Sequence, residues 1–302
     1  MFKKTIVIPT KLDLYPDQKK RLESFGNVKF FQDSPITTSE WLKRCSGADI
    51  ICSGKFGLTE KIYNLKNVFI SLPFVDINWL NKNKLKKRNI SISYAPGCNS
   101  ESVVEWIMSM IIILLRDLYY FINKENINLK FTPRKQGLKG KKVTILGKGN
   151  IGLRIGILCE LFGMQVNYFT KANNLYEVCK QSDLIINCLS LNKSTINILD
   201  LIFFKNLKKG VYFISIAQMK TFNLRDLIYC INNGTISNAA IDIDSFENGD
   251  KLNNEDLILI KNSKIIATPH IAHKTDVNAR IAYDMMIDNV EAWILGKPLN
   301  IL

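Results

Sequence analysis

The chain has 302 residues, more than one domain of ordinary size holds, so two domains are expected. Its composition, 47% hydrophobic and 23% charged, excludes disorder, collagen-like repeats and low-complexity scaffolds. Lysine and arginine outnumber aspartate and glutamate 41 to 27, a formal net charge of +14. That charge raises the question of an anionic partner without choosing among nucleic acid, phosphorylated cofactor and acidic substrate.

In the first third, short β-branched apolar runs at residues 5–8, 50–52, 68–72 and 90–94 predict strands. The apolar run at 5–8 is too short for a signal-peptide core. The longest one, 103–115, is broken by Glu105 and predicts a buried helix, not a bilayer span. Ser102-Val103-Val104-Glu105 has the S-x-x-E form of a capping box at the start of that helix. A polar stretch with Pro133, Gly137 and Gly140 reads as a linker. Six further strand-like runs follow, at 143–146, 166–169, 184–189, 211–216, 239–243 and 265–268. They are near-continuously apolar and separated by crossover-length segments, so they predict a doubly wound α/β domain with a parallel sheet covered on both faces. A last helix is expected over about 276–295, stopped by Gly296 and Pro298.

No two of the seven cysteines (Cys45, Cys52, Cys98, Cys159, Cys179, Cys188, Cys230) form a C-x-x-C pair. Their spacing favours buried thiols in a reducing, cytoplasmic setting over disulfides or a zinc site.

The strand at 143–146 runs directly into Gly147-Lys148-Gly149-Asn150-Ile151-Gly152, followed by a helical pattern. In that context G-x-G-x-x-G is a dinucleotide loop. Gly147 makes the turn, Gly149 admits the pyrophosphate, Gly152 packs helix on strand, and the helix N-terminus at Asn150 and Ile151 offers N–H groups. The alternative is a glycine-rich turn that binds nothing. The acid that would hold an adenosine ribose 2′-hydroxyl is missing after the second strand, where Thr170 and Lys171 stand. Those two could hydrogen-bond and neutralise a 2′-phosphate, which favours NADP over NAD. The bland reading of Lys171 is a solvated loop lysine.

The chain has two histidines, His270 and His273, directly after the sixth strand-like run, where parallel sheets meet their ligands. Asp242 and Glu247 flank the end of the fifth run, and a carboxylate near an imidazole would fix its tautomer. Two histidines three apart without a third ligand make a poor metal site, so no metal is expected, and His273 reads better as structural.

These motifs, together with Gly97-Cys98-Asn99, Leu207-Lys208-Lys209-Gly210-Val211, Ala239-Ala240-Ile241-Asp242-Ile243 and Thr268-Pro269-His270-Ile271, occur in an order that resembles the D-isomer-specific 2-hydroxyacid dehydrogenase family over nearly the whole chain. The family includes phosphoglycerate dehydrogenases and glyoxylate/hydroxypyruvate reductases. The resemblance implies two doubly wound domains. One is a Rossmann dinucleotide-binding domain at 99–274. The other is a smaller, discontinuous flavodoxin-like substrate domain from 1–98 and 275–302. It also implies a homodimer formed through the cofactor domain, acting on a small 2-keto or 2-hydroxy acid.

Carried over by position, the resemblance makes His270 the acid/base and Glu247 its carboxylate partner. Asp242 becomes a contact to the nicotinamide carboxamide. Ser190, Asn192, Thr195 and Ala217 lie beside the cofactor, and Lys55, Phe74, Val75 and Asn99 beside the substrate. Two positions depart from the family's pattern. Gln218 stands where an arginine is usual and has no guanidinium fork to grip a carboxylate. Phe74 stands where a glycine is usual, in a loop whose N–H groups bind the substrate carboxylate, and Pro73 has no N–H to give. The leading expectation is an NADP-preferring 2-keto acid reductase. The alternative is a cofactor-binding relative with weak or lost catalysis because of Gln218. A nucleic-acid role rests on charge alone: the basic run Lys82, Lys84, Lys86, Lys87, Arg88 carries no recognition motif or aromatic platform.

Overall fold

The computed structural model describes residues 3–55, 60–75, 77, 79–122, 135–243 and 253–302. The chain forms two compact units, Met1–Asn99 with Thr275–Leu302, and Ser100–Lys274.

In the first unit the elements are β1 (Lys4–Ile8), α1 (Pro16–Phe25), β2 (Gly26–Phe30), α2 (Thr38–Arg44), β3 (Ile50–Cys52), β4 (Val68–Ser71), α3 (Lys82–Lys87) and β5 (Ile90–Ser93). The strands form one parallel sheet in the order β2-β1-β3-β4-β5. Successive residues of β3 take opposite faces. Ile50 and Cys52 join a core with Leu22 of α1 and with Met286, Ile287 and Val290, whereas Ile51 joins Trp41 of α2 and Leu85 of α3. A sheet buried on both faces needs strands apolar throughout, which explains the short continuous runs in the sequence.

Strand β2 has no counterpart among the expected elements. It is an edge strand with one buried side only, and its Gly-Asn-Val-Lys-Phe sequence carries almost no apolar signal.

The second unit opens with α4 (Ser100–Arg116) and α5 (Leu118–Ile122). It continues with β6 (Lys142–Leu146), α6 (Asn150–Leu161), β7 (Gln165–Phe169), α7 (Leu175–Cys179), β8 (Leu184–Asn187), α8 (Leu201–Lys205), β9 (Val211–Ser215), α9 (Leu224–Asn232), β10 (Ile236–Asp242), α10 (Asn254–Lys261) and β11 (Ile265–Thr268). Its six strands are parallel, in the order β11-β10-β9-β8-β6-β7. One face packs on α4 and α6, the other on α8 and α9. On the second face Phe203, Phe204, Phe213 and Phe222 meet edge-on in series, with ring centroids 5.4, 5.5 and 5.7 Å apart. All six expected strands of this unit are present, each within a few residues of its expected bounds.

Two local readings need correction. The capping box is absent: α4 begins at Ser100, so Ser102 and Glu105 lie inside the helix, with Ser102 buried. The added first turn is held by Glu101, which pairs with Arg154 of α6. Of the stretch read as a linker, Pro133 lies outside the described residues; the described part, from 135 on, lies within the second unit, where Gln136 donates to the Leu115 carbonyl and Lys135 pairs with Asp117. The chain returns to the first unit through α11 (Asp276–Ile294), capped by Thr275 and ended by Gly296 at φ +73°. No helix among the described residues is long and apolar enough to cross a membrane.

Candidate active site

In the second unit the described candidates gather at the carboxyl ends of the strands. The glycine loop follows β6, Thr170 and Lys171 follow β7, Ser190 to Thr195 follow β8, Ala217 and Gln218 follow β9, Asp242 ends β10 and His270 follows β11. The order reverses between β6, β7 and β8, which opens the crevice where such sheets take ligands.

The glycine loop has the geometry its spacing predicts. Gly147 has φ +102°, and a side chain there would meet the Cys188 carbonyl at 2.9 Å. A side chain at Gly152 would meet the Gly147 carbonyl at 2.1 Å, so α6 can start this close to β6 only with glycine there. At Gly149 a side chain would meet nothing within 4 Å. Helices α7, α8, α9 and α10 are each capped by a side chain, from Asn174, Asp200, Asn223 and Asn253, whereas α6 at Gly149 has no side-chain cap. Open space in front of uncapped first-turn N–H groups fits a dinucleotide pyrophosphate. Asn150 and Ile151 supply the first turn.

Lys148, which sequence reasoning passed over, lies 5.2 Å above the Tyr168 ring, and the Tyr168 hydroxyl occupies the space a side chain at Gly156 would need. The signal was available in the sequence as a lysine between the first two glycines of the loop.

Thr170 and Lys171 form a turn in which the Thr170 N–H donates to Asn173 Oδ1 and Thr170 Oγ1 accepts from the Ala172 N–H; Lys171 is exposed. Ser190, Asn192 and Thr195 make a self-contained loop. Thr195 Oγ1 donates to the Ser190 carbonyl and accepts from the Asn192 N–H, and Asn192 Nδ2 donates to the same carbonyl. The Asn192 and Thr195 side chains thus shape the loop. Beneath it, the fully buried Asn187 donates to Ser215 Oγ and Thr221 Oγ1, tying the β8 loop to the turn that carries Gln218. Ala217 is buried, Gln218 is half-buried, and the Gln218 carbonyl accepts from Thr221.

His270 occupies the left-handed region at φ +52°, a backbone strain of the kind concentrated at functional turns. Its ring meets that of His273 edge-on, with centroids 4.8 Å apart. His270 Nδ1 is buried and has no hydrogen-bond partner among the described residues. Glu247 lies outside the described residues. Asp242, expected as a nicotinamide contact, turns its carboxylate onto the histidine's own turn and accepts from Thr268, Ile271 and Ala272. No group of three metal-ligating side chains comes together among the described residues. Burial pushes the thiols of Cys45, Cys52, Cys159 and Cys179 up to about 12, which makes them small apolar side chains and not nucleophiles.

In the first unit Lys55 and Asn99 follow β3 and β5, and Phe74 and Val75 follow β4. Phe74, expected to add bulk to a binding loop, packs its ring against the Leu72, Ile77 and Ile92 core, while its carbonyl accepts from Ala95. Val75 packs on Ala95 and Cys98.

Comparison with known proteins places this architecture. A D-lactate dehydrogenase of Staphylococcus epidermidis is 29% identical over 216 residues; the match covers 63% of this chain and 65% of that one. A solved structure of an acyclic imino acid reductase in complex with NADPH and D-Arg superimposes with a TM-score of 0.83 at 18% identity, covering 99% of both chains. The D-lactate dehydrogenase of Aquifex aeolicus, complexed with NAD and lactic acid, gives 0.76 at 21% identity, covering 97% of this chain and 96% of that one. At these identities the two structures establish the fold. Residues 108–272, more than half of the chain, match the NAD binding domain that defines a family of oxidoreductases: the chain belongs to the D-isomer specific 2-hydroxyacid dehydrogenase family.

Proposed function

We propose that this protein is a nicotinamide-nucleotide-dependent D-2-hydroxyacid dehydrogenase that works mainly as a 2-keto acid reductase. The observation that carries the reading is one sheet edge holding both an uncapped glycine-loop helix and a histidine on a strained turn. The D-lactate dehydrogenases among its relatives support a short 2-keto acid as substrate.

The chemistry a reduced nicotinamide would supply, when held by the glycine loop, is a hydride. His270 holds a proton and gives it to the keto oxygen as the carbonyl carbon is reduced, so C=O becomes CH–OH and the imidazole is left neutral. We assign Glu247 as the carboxylate partner of His270; the buried Nδ1 needs an acceptor, and meeting that need would leave Nε2 to carry the transferred proton. Gly147, Gly149, Asn150, Ile151 and Gly152 would hold the pyrophosphate, with Ser190, Asn192, Thr195 and Ala217 in loops alongside. Lys55, Asn99 and the backbone at Phe74 and Val75 would hold the substrate carboxylate, in a substrate domain built from the first unit. Thr170 and Lys171, with no acid among them, support NADP over NAD. A cytoplasmic homodimer completes the reading.

Gln218 favours a second reading, a family member that binds nucleotide with weak or lost turnover, because an amide cannot replace a guanidinium on a carboxylate. Oxidation of NADPH and NADH with glyoxylate, pyruvate, hydroxypyruvate and longer 2-keto acids separates the two. The dehydrogenase reading expects turnover, faster with NADPH. Nucleotide binding with no turnover, restored by Gln218→Arg, would establish the second.

A further inference from the structure

We propose that Asp242 is a positioning residue that holds His270 in its reacting orientation by bracing the turn on both sides of it. The inference rests on the acid/base reading of His270. Asp242 and Thr268 are register partners on the adjacent parallel strands β10 and β11, so their side chains stand together on one face. Asp242 Oδ1 accepts from the Thr268 hydroxyl and from the Ile271 N–H at 3.0 Å, and Oδ2 accepts from the Ala272 N–H at 2.9 Å. The carboxylate, only 5% exposed, thus grips the chain two residues before His270 and at both residues following it. Two backbone bonds complete the turn: Ile243 N–H donates to the Thr268 carbonyl at 2.8 Å and His270 N–H to the same carbonyl at 3.1 Å. None of these bonds uses the imidazole, which stays available for chemistry. A non-glycine residue at φ +52° needs such a frame, since the free chain avoids that conformation.

The chemistry selects aspartate. Three donors converge, and only a carboxylate accepts on both oxygens. An asparagine of the same shape would turn an N–H₂ toward at least one of the donors. A serine hydroxyl could not reach all three.

The test uses the full-length enzyme with a 2-keto acid that it reduces, and reads kcat, KM, nucleotide Kd and the solvent deuterium isotope effect. Displacing a reacting group by about 1 Å costs roughly 100-fold. Asp242→Asn is therefore expected to lower kcat about 100-fold, with nucleotide Kd within about threefold of wild type. Thr268→Val, which removes one donor and leaves the carboxylate in place, is expected to lower kcat about fivefold, and Thr268→Ser to restore it. Both damaging variants are expected to show a larger solvent isotope effect, because proton transfer is the misaligned step. If Asp242→Asn weakens nucleotide binding tenfold or more while Thr268→Val behaves as wild type, Asp242 serves the nicotinamide and the proposal falls. If His270→Ala is inactive but Asp242→Asn and Thr268→Val both keep full kcat, the brace alone is overturned. If His270→Ala itself keeps full kcat, the acid/base reading fails and takes the proposal with it.

Discussion

The two units are built on the same strand order, 2-1-3-4-5 counted within each, the second extended by a sixth strand. Both therefore have a switch point beside their first strand, yet the chain treats the two places oppositely. After β1 it runs Pro9-Thr10-Lys11: Thr10 is buried and accepts from the Gly54 N–H at 3.1 Å, and Arg44 donates to the Pro9 carbonyl at 3.1 Å. That crevice is closed by its own hydrogen bonds. After β6 the chain runs through two glycines, Gly147 and Gly149, into an uncapped helix with open space before it. Topology makes a crevice, and local residues decide whether it is filled from within or left for a ligand.

The largest effect expected from this contrast is chemical. On the proposed function, in which the imidazole transfers the proton and the glycine loop binds nucleotide, His270→Ala should lower kcat by roughly 10²- to 10⁴-fold while fluorescence titration shows nucleotide still bound. Loss of nucleotide binding together with turnover would erase that division of labour.

Next come the two glycines. Gly152→Ala forces a side chain against the Gly147 carbonyl and should cost about 1–3 kcal/mol of stability along with nucleotide affinity. Gly149→Ala adds a methyl to open space at an ordinary φ of −84°, so the melting temperature should hold while nucleotide Kd rises about tenfold. Thermal melts and titrations on both variants sharpen the distinction between a packing glycine and a ligand glycine.

Lys171→Ala should reduce the preference for NADPH over NADH by about fivefold, the scale of one exposed charge pair, and the loss should shrink at high salt. No change in the kcat/KM ratio of the two nucleotides would dismiss Lys171 as a selector.

Acid should weaken ion pairs in both units. The Arg280 guanidinium holds Asp17 below its usual range, Arg44 does so for Asp33, and the Ile36 N–H with Arg44 does so for Glu40. In the second unit Asp183 is also lowered: burial opposes ionisation there, and Lys208 and the Lys142 N–H outweigh it. Each folded value lies below its unfolded one. The stabilisation is therefore present above about pH 4 and is lost as pH falls through the folded value. Hydrogen-exchange protection, corrected for the slower intrinsic exchange in acid, should fall in residues 3–55 as pH drops below about 4.

Smallest is Thr10→Val, which removes one internal hydrogen bond at the closed crevice. It should cost about 1 kcal/mol and leave nucleotide Kd unchanged. A shift in nucleotide affinity would mean that the closed crevice is not inert.

The second unit was far more legible in the sequence than the first. Strands β6, β8, β9 and β10 are central, and even the edge strands β7 and β11 carry apolar runs, so these runs and the glycine spacing announce themselves within a few residues. Strand β2 did not, because an edge strand needs only one apolar side. Helix α4 starts at Ser100, ahead of the S-x-x-E pattern, and Glu101 in its first turn pairs with Arg154, 53 residues away.

The sequence by itself determined the fold class, the glycine loop and the position of His270 after the sixth strand, since each depends on residues adjacent in the chain. Only the tertiary structure decided what the side chains around them do. Asp242 and Thr268 are 26 residues apart and meet because β10 and β11 pair in register. Phe74 packs against its own unit's core, the apolar cluster that includes Leu72, Ile77 and Ile92. Asn192 and Thr195 are spent on their own loop because nearby backbone groups need partners. Spacing along a chain reports local geometry; the use of a polar side chain is settled by whichever donors and acceptors the fold brings within about 3 Å of it.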